Sequence, residues 1–224
     1  MNLLALVLTG GSSRRMGANK ADLVVGGVAL GLRLCRTLDR AGFTVLVLGR
    51  EVEGYRVSSD QEPGAGPLAA LAGVRLPDGI DAVFVAACDA VLLEGLDARR
   101  LVDHLLANQG FDAVVPALDG RPQPLCAAYQ PNALIAASGL SMKGETRVMA
   151  WLEAMRVQYL GEDDLVKLGL HPEHFRSANT PEEFDRLRRV LLEVVVDSPV
   201  GRAYELDELE GHAPTDGTGS DHER

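Results

Sequence analysis

The chain has 224 residues, 46% of them hydrophobic, enough for one sizeable α/β domain and a short appendage. Its formal net charge of −10 argues against the basic surface on which non-specific nucleic-acid binding rests, yet leaves room for a small anionic substrate held by one local patch of Lys, Arg and backbone N–H. Three widely spaced cysteines, Cys35, Cys88 and Cys126, form no C-x-x-C pair, which argues against a disulfide framework or a zinc site and fits a reducing cytoplasm.

Residues 3–8 (LLALVL) are apolar, lack a basic stretch before them and run straight into GGSSRRMG. They predict a buried strand rather than a signal peptide, and no run of about 20 apolar residues predicts a membrane span. Further short apolar runs follow at Thr44–Leu48, Ala82–Ala87, Ala113–Pro116 and Pro124–Tyr129, as strands buried on both faces of a sheet do. Between them lie helical stretches near 29–41, 67–75, 97–108 and 146–155. The alternation predicts a mostly parallel sheet flanked by helices, with ligands at the carboxyl ends of the strands. A last helix starts where Thr180 caps, Pro181 takes the first helical position and Glu183 completes a capping box; it is expected to reach about Val195. The domain is therefore placed at residues 1–196. Residues 197–224 carry eight acids and two arginines and form an acidic tail, with disorder expected over the Gly- and Asp-rich 211–224.

The polar motifs follow the predicted strands directly. The first is LTGGSSRRMGANK, residues 8–20. Glycines after a strand let backbone N–H groups approach phosphate oxygens, and Arg15 and Lys20 bring charge for a polyphosphate. It is not a P-loop, because no GKS or GKT ends it, and it lacks the G-x-G-x-x-G spacing. The second, DQEPGAGPL over residues 60–68, is another glycine-rich turn, where Asp60 can accept hydrogen bonds from a nucleoside. The third is Cys88-Asp89, just after the apolar run Ala82–Ala87. An acid there needs compensation, which Mg²⁺ held by one carboxylate and substrate phosphates supplies. The fourth is Gly144-Glu145-Thr146-Arg147, and the fifth is Asn179-Thr180-Pro181-Glu182-Glu183. Capping accounts for Thr180 and Glu183, leaving Asn179 as a candidate ligand. His104, His171 and His174 have no metal-binding spacing, and Cys126 sits in an apolar run as a core residue.

These motifs, in this order over about residues 3–190, resemble the molybdenum-cofactor guanylyltransferases and their close relatives. That family's pattern runs L-A-G-G-x-S-x-R-M-G-x-x-K, D-x-x-P-G-x-G-P-L, C-D-M-P, P-L, G-E-R and N-x-N-T-P-E; this chain gives LTGGSSRRMGANK, DQEPGAGPL, CDAV, QPLCAAY, GETRVM and SANTPEE. The resemblance implies a Rossmann-like nucleotide-binding three-layer sandwich. It also implies transfer of GMP from GTP to molybdopterin carrying molybdenum, with Mg²⁺ as cofactor and pyrophosphate released. Leu8, Thr9, Gly10 and Gly11 would contact the nucleotide, as would Gly66, Pro67 and Leu68. Arg15 and Lys20 would hold phosphates, Asp60 the nucleoside and Asp89 the Mg²⁺. Arg147 and Asn179 would face the acceptor. Arg15, Lys20 and Asp89 are then the catalytic set. Expected partners are the two substrates and, transiently, proteins of cofactor biosynthesis or acceptor proteins, with neither nucleic acid nor membrane.

The chain departs from the pattern at Thr9 (Ala in the family), Ala69-Ala70 (often Gly), Ala90-Val91 (Met-Pro) and Ser177 (Asn), and Leu48 ends a strand where some members carry Asn. Two rival readings stay open at this point. One is the same chemistry with CTP or a sugar phosphate. The other is a nucleotide-binding regulatory protein without transferase activity, against which the presence of both Lys20 and Asp89 speaks.

Overall fold

The computed structural model describes residues 1–10, 20–58 and 65–197, with side chains to residue 192. Gly11, Arg15, Asp60 and the tail beyond residue 197 lie outside the described residues. In chain order the strands are β1 (Leu3–Leu8), β2 (Val24–Val25), β3 (Val28–Ala29), β4 (Phe43–Leu48), β5 (Arg56–Ser58), β6 (Ala82–Ala87), β7 (Ala113–Leu118), β8 (Arg121–Pro122), β9 (Cys126–Tyr129) and β10 (Val157–Leu160). The α-helices are α1 (Leu30–Arg40), α2 (Pro67–Ala72), α3 (Gly95–Ala107), α4 (Asn132–Ser141), α5 (Val148–Glu153), α6 (Glu162–Lys167) and α7 (Pro181–Asp197).

The main sheet has the order β10-β7-β9-β6-β1-β4-β5, with β8 folded back on β7. β9 runs antiparallel to both β6 and β7; the other neighbours along this order are parallel. This is the expected mostly parallel α/β sandwich. Its central strands read as continuous apolar runs because both faces are covered. Leu3, Ala5 and Val7 of β1 face a core built with α1 and α3 (Leu34, Leu38, Ala98, Leu101). Leu4, Leu6 and Leu8 face the opposite core, built with α2, α4 and α5 (Leu68, Leu71, Leu134, Trp151). Tyr129 stacks on Trp151 with ring centroids 4.4 Å apart, and the indole N–H donates to the Ala133 carbonyl at 2.8 Å. No described helix is long and apolar enough to cross a membrane.

α7 makes a separate small core. Its Phe184, Leu187 and Leu191 pack on Val25 of the β2–β3 hairpin, on Leu30 at the start of α1, and on Val91 and Leu92 just beyond Asp89. Its start carries the expected capping box: the Glu183 N–H donates to the Thr180 hydroxyl at 3.2 Å, and the Glu183 carboxylate accepts from the Thr180 N–H at 3.1 Å.

Besides the two-residue strands β2, β3 and β8, the elements α4, β10 and α6 were not foreseen. α4 (NALIAASGLS) contains Gly139 and two serines and shows no polar stripe; it packs on α2 and α5 yet leaves the apolar Ile135 exposed. The Ser138 hydroxyl is satisfied on the Ala72 carbonyl at 2.7 Å. β10 and α6 are short pieces of four and six residues, too brief to establish a period.

α1 and α3 touch where Gly95 opens α3. Its N–H donates to the Thr37 hydroxyl at 2.9 Å, and a Cβ at this position would stand 1.9 Å from the Thr37 carbonyl oxygen. Backbone on backbone has nowhere to relax. Gly95→Ala is therefore expected to cost about 3 kcal/mol, the upper part of the range for overpacking. Urea denaturation measures it, and a loss under about 0.5 kcal/mol would mean the two helices part freely.

Candidate active site

Sheet register assembles the site. Leu8 is paired across the sheet with Leu48 on one side and with Ala87 on the other. The residues that follow these three strand ends, Thr9-Gly10, Gly49-Arg50 and Cys88-Asp89, therefore emerge at one edge. This edge is the crevice beside β1 where the chain switches direction, with β4 on one side and β6 on the other, the position at which open α/β sheets take ligands.

Thr9 is buried, and its main-chain N–H donates to the Leu48 carbonyl at 3.0 Å. Its hydroxyl lies 3.2 Å from the same carbonyl and 2.8 Å from that of Arg50. The hydroxyl is thus occupied within the fold, where it ties the glycine loop to the end of β4. What Thr9 and Gly10 present outward is main chain. Gly49 permits the close approach: its φ is +114°, and a Cβ there would meet the Gly10 nitrogen at 2.6 Å.

Asp89 is the focus. Its side chain is 21% exposed, and the Lys20 ammonium stands 3.4 Å from Oδ2. Burial pushes its carboxyl up from the usual carboxylate range, while the Lys20 ammonium and a hydrogen bond from Ser177 pull it back. Lys20 opens a 3₁₀ turn at Lys20–Asp22, and its ammonium also donates to the Ala178 carbonyl. The Ala178 N–H in turn donates to the Asp89 carbonyl at 2.9 Å. Residues 20, 89 and 177–178, far apart in sequence, thus share one hydrogen-bonded knot.

The segment that carries Ser177 and Ala178 has no ladder of its own and is pinned by side chains. His174 donates from Nδ1 to the buried Asp97 of α3 at 2.6 Å. Arg176 donates to Asp119 at 2.7 Å, in the turn between β7 and β8. The Ser177 hydroxyl lies 3.3 Å from Oε1 of Gln123. Residue type and spacing single out neither Arg176 nor Gln123, and they point to no metal-binding role for His174. The one visible signal was Asp97, a charge on the core-facing stripe of an otherwise amphipathic helix.

The remaining expected residues fall as follows. Gly66 precedes α2 with φ +95°, and Pro67 is the first residue of the helix. The Leu68 side chain is fully buried in the core, so any contact it makes with a nucleotide uses its main chain. Arg147 is exposed, stands at the residue before α5 without capping it, and is paired with Glu145 at 2.8 Å, away from the knot around Asp89 in sequence and hydrogen bonding. Asn179 is exposed, and its N–H donates to the Glu183 carboxylate at 2.7 Å, which leaves its side chain available. All three cysteines are buried and protonated: burial pushes the Cys35 thiol up to about 12 and raises those of Cys88 and Cys126 as well.

Among the described residues no three His, Cys, Asp or Glu side chains converge on a point. The donor set at Asp89 is one carboxylate beside one hydroxyl. That suits Mg²⁺, which takes one or two carboxylates and completes its shell with water and substrate phosphates. It does not suit zinc, which takes three or four nitrogen or sulfur ligands.

Comparison with known proteins agrees with this geometry. The family model of the MobA-like NTP transferase domain matches residues 5–158. A protein of Opitutus terrae named probable molybdenum cofactor guanylyltransferase is 35% identical, over 84% of this chain and 95% of its own. The molybdenum cofactor guanylyltransferase of Shewanella frigidimarina is 30% identical, over 82% and 94% respectively. Among solved structures, molybdopterin-guanine dinucleotide biosynthesis protein A of Archaeoglobus fulgidus superposes with a TM-score of 0.71 at 23% identity, covering 84% of this chain and 98% of that one. With the fold, the strand-end site and these relatives in agreement, the chain belongs to the MobA-like NTP transferase family.

Proposed function

We propose that this enzyme transfers GMP from GTP to the molybdopterin that carries molybdenum, forming the guanine dinucleotide cofactor and releasing pyrophosphate. The observation that carries the reading is the meeting of Lys20 and Asp89, 3.4 Å apart, at the carboxyl ends of β1 and β6. A protein that only binds a nucleotide has no need of an ammonium and a partly buried carboxylate on the same spot. The names of the relatives, which match over most of the chain, supply the guanine and the molybdenum cofactor.

In this reading the main chain of Leu8, Thr9, Gly10 and Gly11 cradles the triphosphate, with Arg15 and Lys20 as its cations. Asp60, Gly66, Pro67 and Leu68 border the nucleoside. Arg147 and Asn179 face the acceptor. An oxygen of the acceptor's terminal phosphate bonds to the α-phosphorus as the bond from that phosphorus to the bridging oxygen breaks, and its electron pair leaves with pyrophosphate. The attacking group is already an anion, so no strong general base is required. The protein positions the reactants and balances charge. Asp89 would hold Mg²⁺, which when bound neutralises charge on the phosphates. Lys20 is then released from Asp89 to serve the triphosphate directly. The three unpaired cysteines support a cytoplasmic setting, where transient contact with proteins of cofactor biosynthesis or acceptor proteins would pass the product on.

Lys20→Ala is expected to lower turnover by roughly 10²–10³, the usual loss for one transition-state charge contact, with circular dichroism unchanged. A loss below about threefold in a folded variant takes Lys20 out of the site. Asp89→Asn keeps the shape but loses the charge that attracts a hard cation. Its activity should need a much higher Mg²⁺ concentration for half-saturation, and an unchanged midpoint would make Asp89 structural. The donor is tested by competition, with GTP and CTP at equal concentration and molybdopterin as acceptor. Two base contacts that the wrong base leaves unpaired, at about 1–3 kcal/mol each, give a guanine product in excess by roughly thirtyfold or more. Comparable yields, or more of the cytosine product, would sink the guanylyl assignment.

A further inference from the structure

Asp89 is held by two groups, and one of them has to leave. Lys20 balances the carboxylate in the structure, but the reaction proposed above calls it to the triphosphate. Ser177 is then what remains to fix the carboxylate. It sits on an irregular segment with no strand or helix to hold it. The residue that gives Ser177 a fixed place is Gln123. Its N–H donates to the Pro116 carbonyl at 2.8 Å, its carbonyl accepts from the Cys126 N–H at 3.0 Å, and its side-chain NH₂ donates to the Arg121 carbonyl at 3.2 Å. With those three points tied, Oε1 is left aimed at the Ser177 hydroxyl, 3.3 Å away. One residue earlier, Arg176 is tied to the same hairpin through Asp119. A hydroxyl carries one proton. With Asp89 on one side and Gln123 on the other, it can donate to the carboxylate while that group is bare and to the amide once a cation neutralises it.

We propose that Gln123 is a positioning residue for Asp89, acting through the Ser177 hydroxyl, so that the β7–β8 hairpin sets the geometry of the cation site. This rests on the reading that Asp89 binds Mg²⁺. Residues that orient a metal's ligand typically contribute about 10–100-fold in affinity.

The test needs no turnover. The Kd of a non-hydrolysable GTP analogue is measured by calorimetry in EDTA and again in saturating Mg²⁺, and the ratio of the two reports the cation site alone. Wild type should show a large ratio, and Asp89→Asn a ratio near one. Gln123→Ala and Ser177→Ala should each lower the ratio about tenfold while leaving the EDTA value unchanged. The double variant should be no worse than either single one, and Ser177→Thr, which keeps the hydroxyl, should restore the wild-type ratio. Thermal melts show that each variant is folded. If Gln123→Ala keeps the wild-type ratio, or if the two effects add, the positioning role is wrong while the Mg²⁺ reading stands. If wild type itself shows no dependence on Mg²⁺, the Mg²⁺ reading fails and the role of Gln123 fails with it.

Discussion

A carboxylate two residues beyond the end of a fully apolar strand cannot be left to itself. β6 delivers Asp89 to the mouth of the sheet, and burial there disfavours the ionised form. The surrounding structure answers that one requirement. Lys20 supplies charge, Ser177 a hydrogen bond, and Ala178 links the Lys20 ammonium to the main chain of Asp89. Lys20 and the pair Ser177-Ala178 come from distant stretches of sequence, and each stretch has its own support. α7 packs on Val91 and Leu92 immediately after Asp89. Asp97 and His174 hold the linker to α3. The hairpin at Asp119 holds it from the other side. A carboxylate that needs so many neighbours is also one that a cation can bind strongly, because the site is already shaped around a positive charge.

The strand ends that carry the candidate site were legible in the sequence, because their pattern is local. An apolar run followed by glycines and bases, or by an acid, places a strand end and a ligand group together within a dozen residues. The sheet then brings such strand ends to one edge whenever the strands are parallel and in register. The capping box at Thr180 followed from the same local reasoning. The contacts that hold Ser177 beside Asp89 were not legible in this way. Gln123 and Ser177 are 54 residues apart, and His174 and Asp97 are 77 apart. Nothing in residue type or spacing foretells that such polar side chains will face one another across a gap between irregular segments. The Leu68 side chain shows a different limit: the motif that contains it was visible, yet the side chain itself is buried in the core, which leaves only its main chain for a ligand.

Thr9 shows how a departure from a family pattern can be absorbed. A methyl group in place of its hydroxyl side chain would leave the carbonyls of Leu48 and Arg50 without that partner. With threonine the turn after β1 is fastened to the turn after β4. The main chain that remains outward is the same one an alanine would leave. The substitution changes how firmly the loop is anchored more than what it offers a ligand.

The knot at Asp89 also orders events in time. Its first part, β1 to Asp89, is complete within the first 89 residues of the chain, whereas Ser177 and Ala178 come about as many residues later. A growing chain leaves the ribosome from its N-terminus. It therefore lays down the strand-end crevice well before the segment that will tie Lys20 and Asp89 together. Closing that long loop is the slow kind of contact to form, since its entropy must be lost before the contact rewards it. The strand ends that meet at Asp89 are built first, and the segment that fastens Lys20 to Asp89 is set in place long after them.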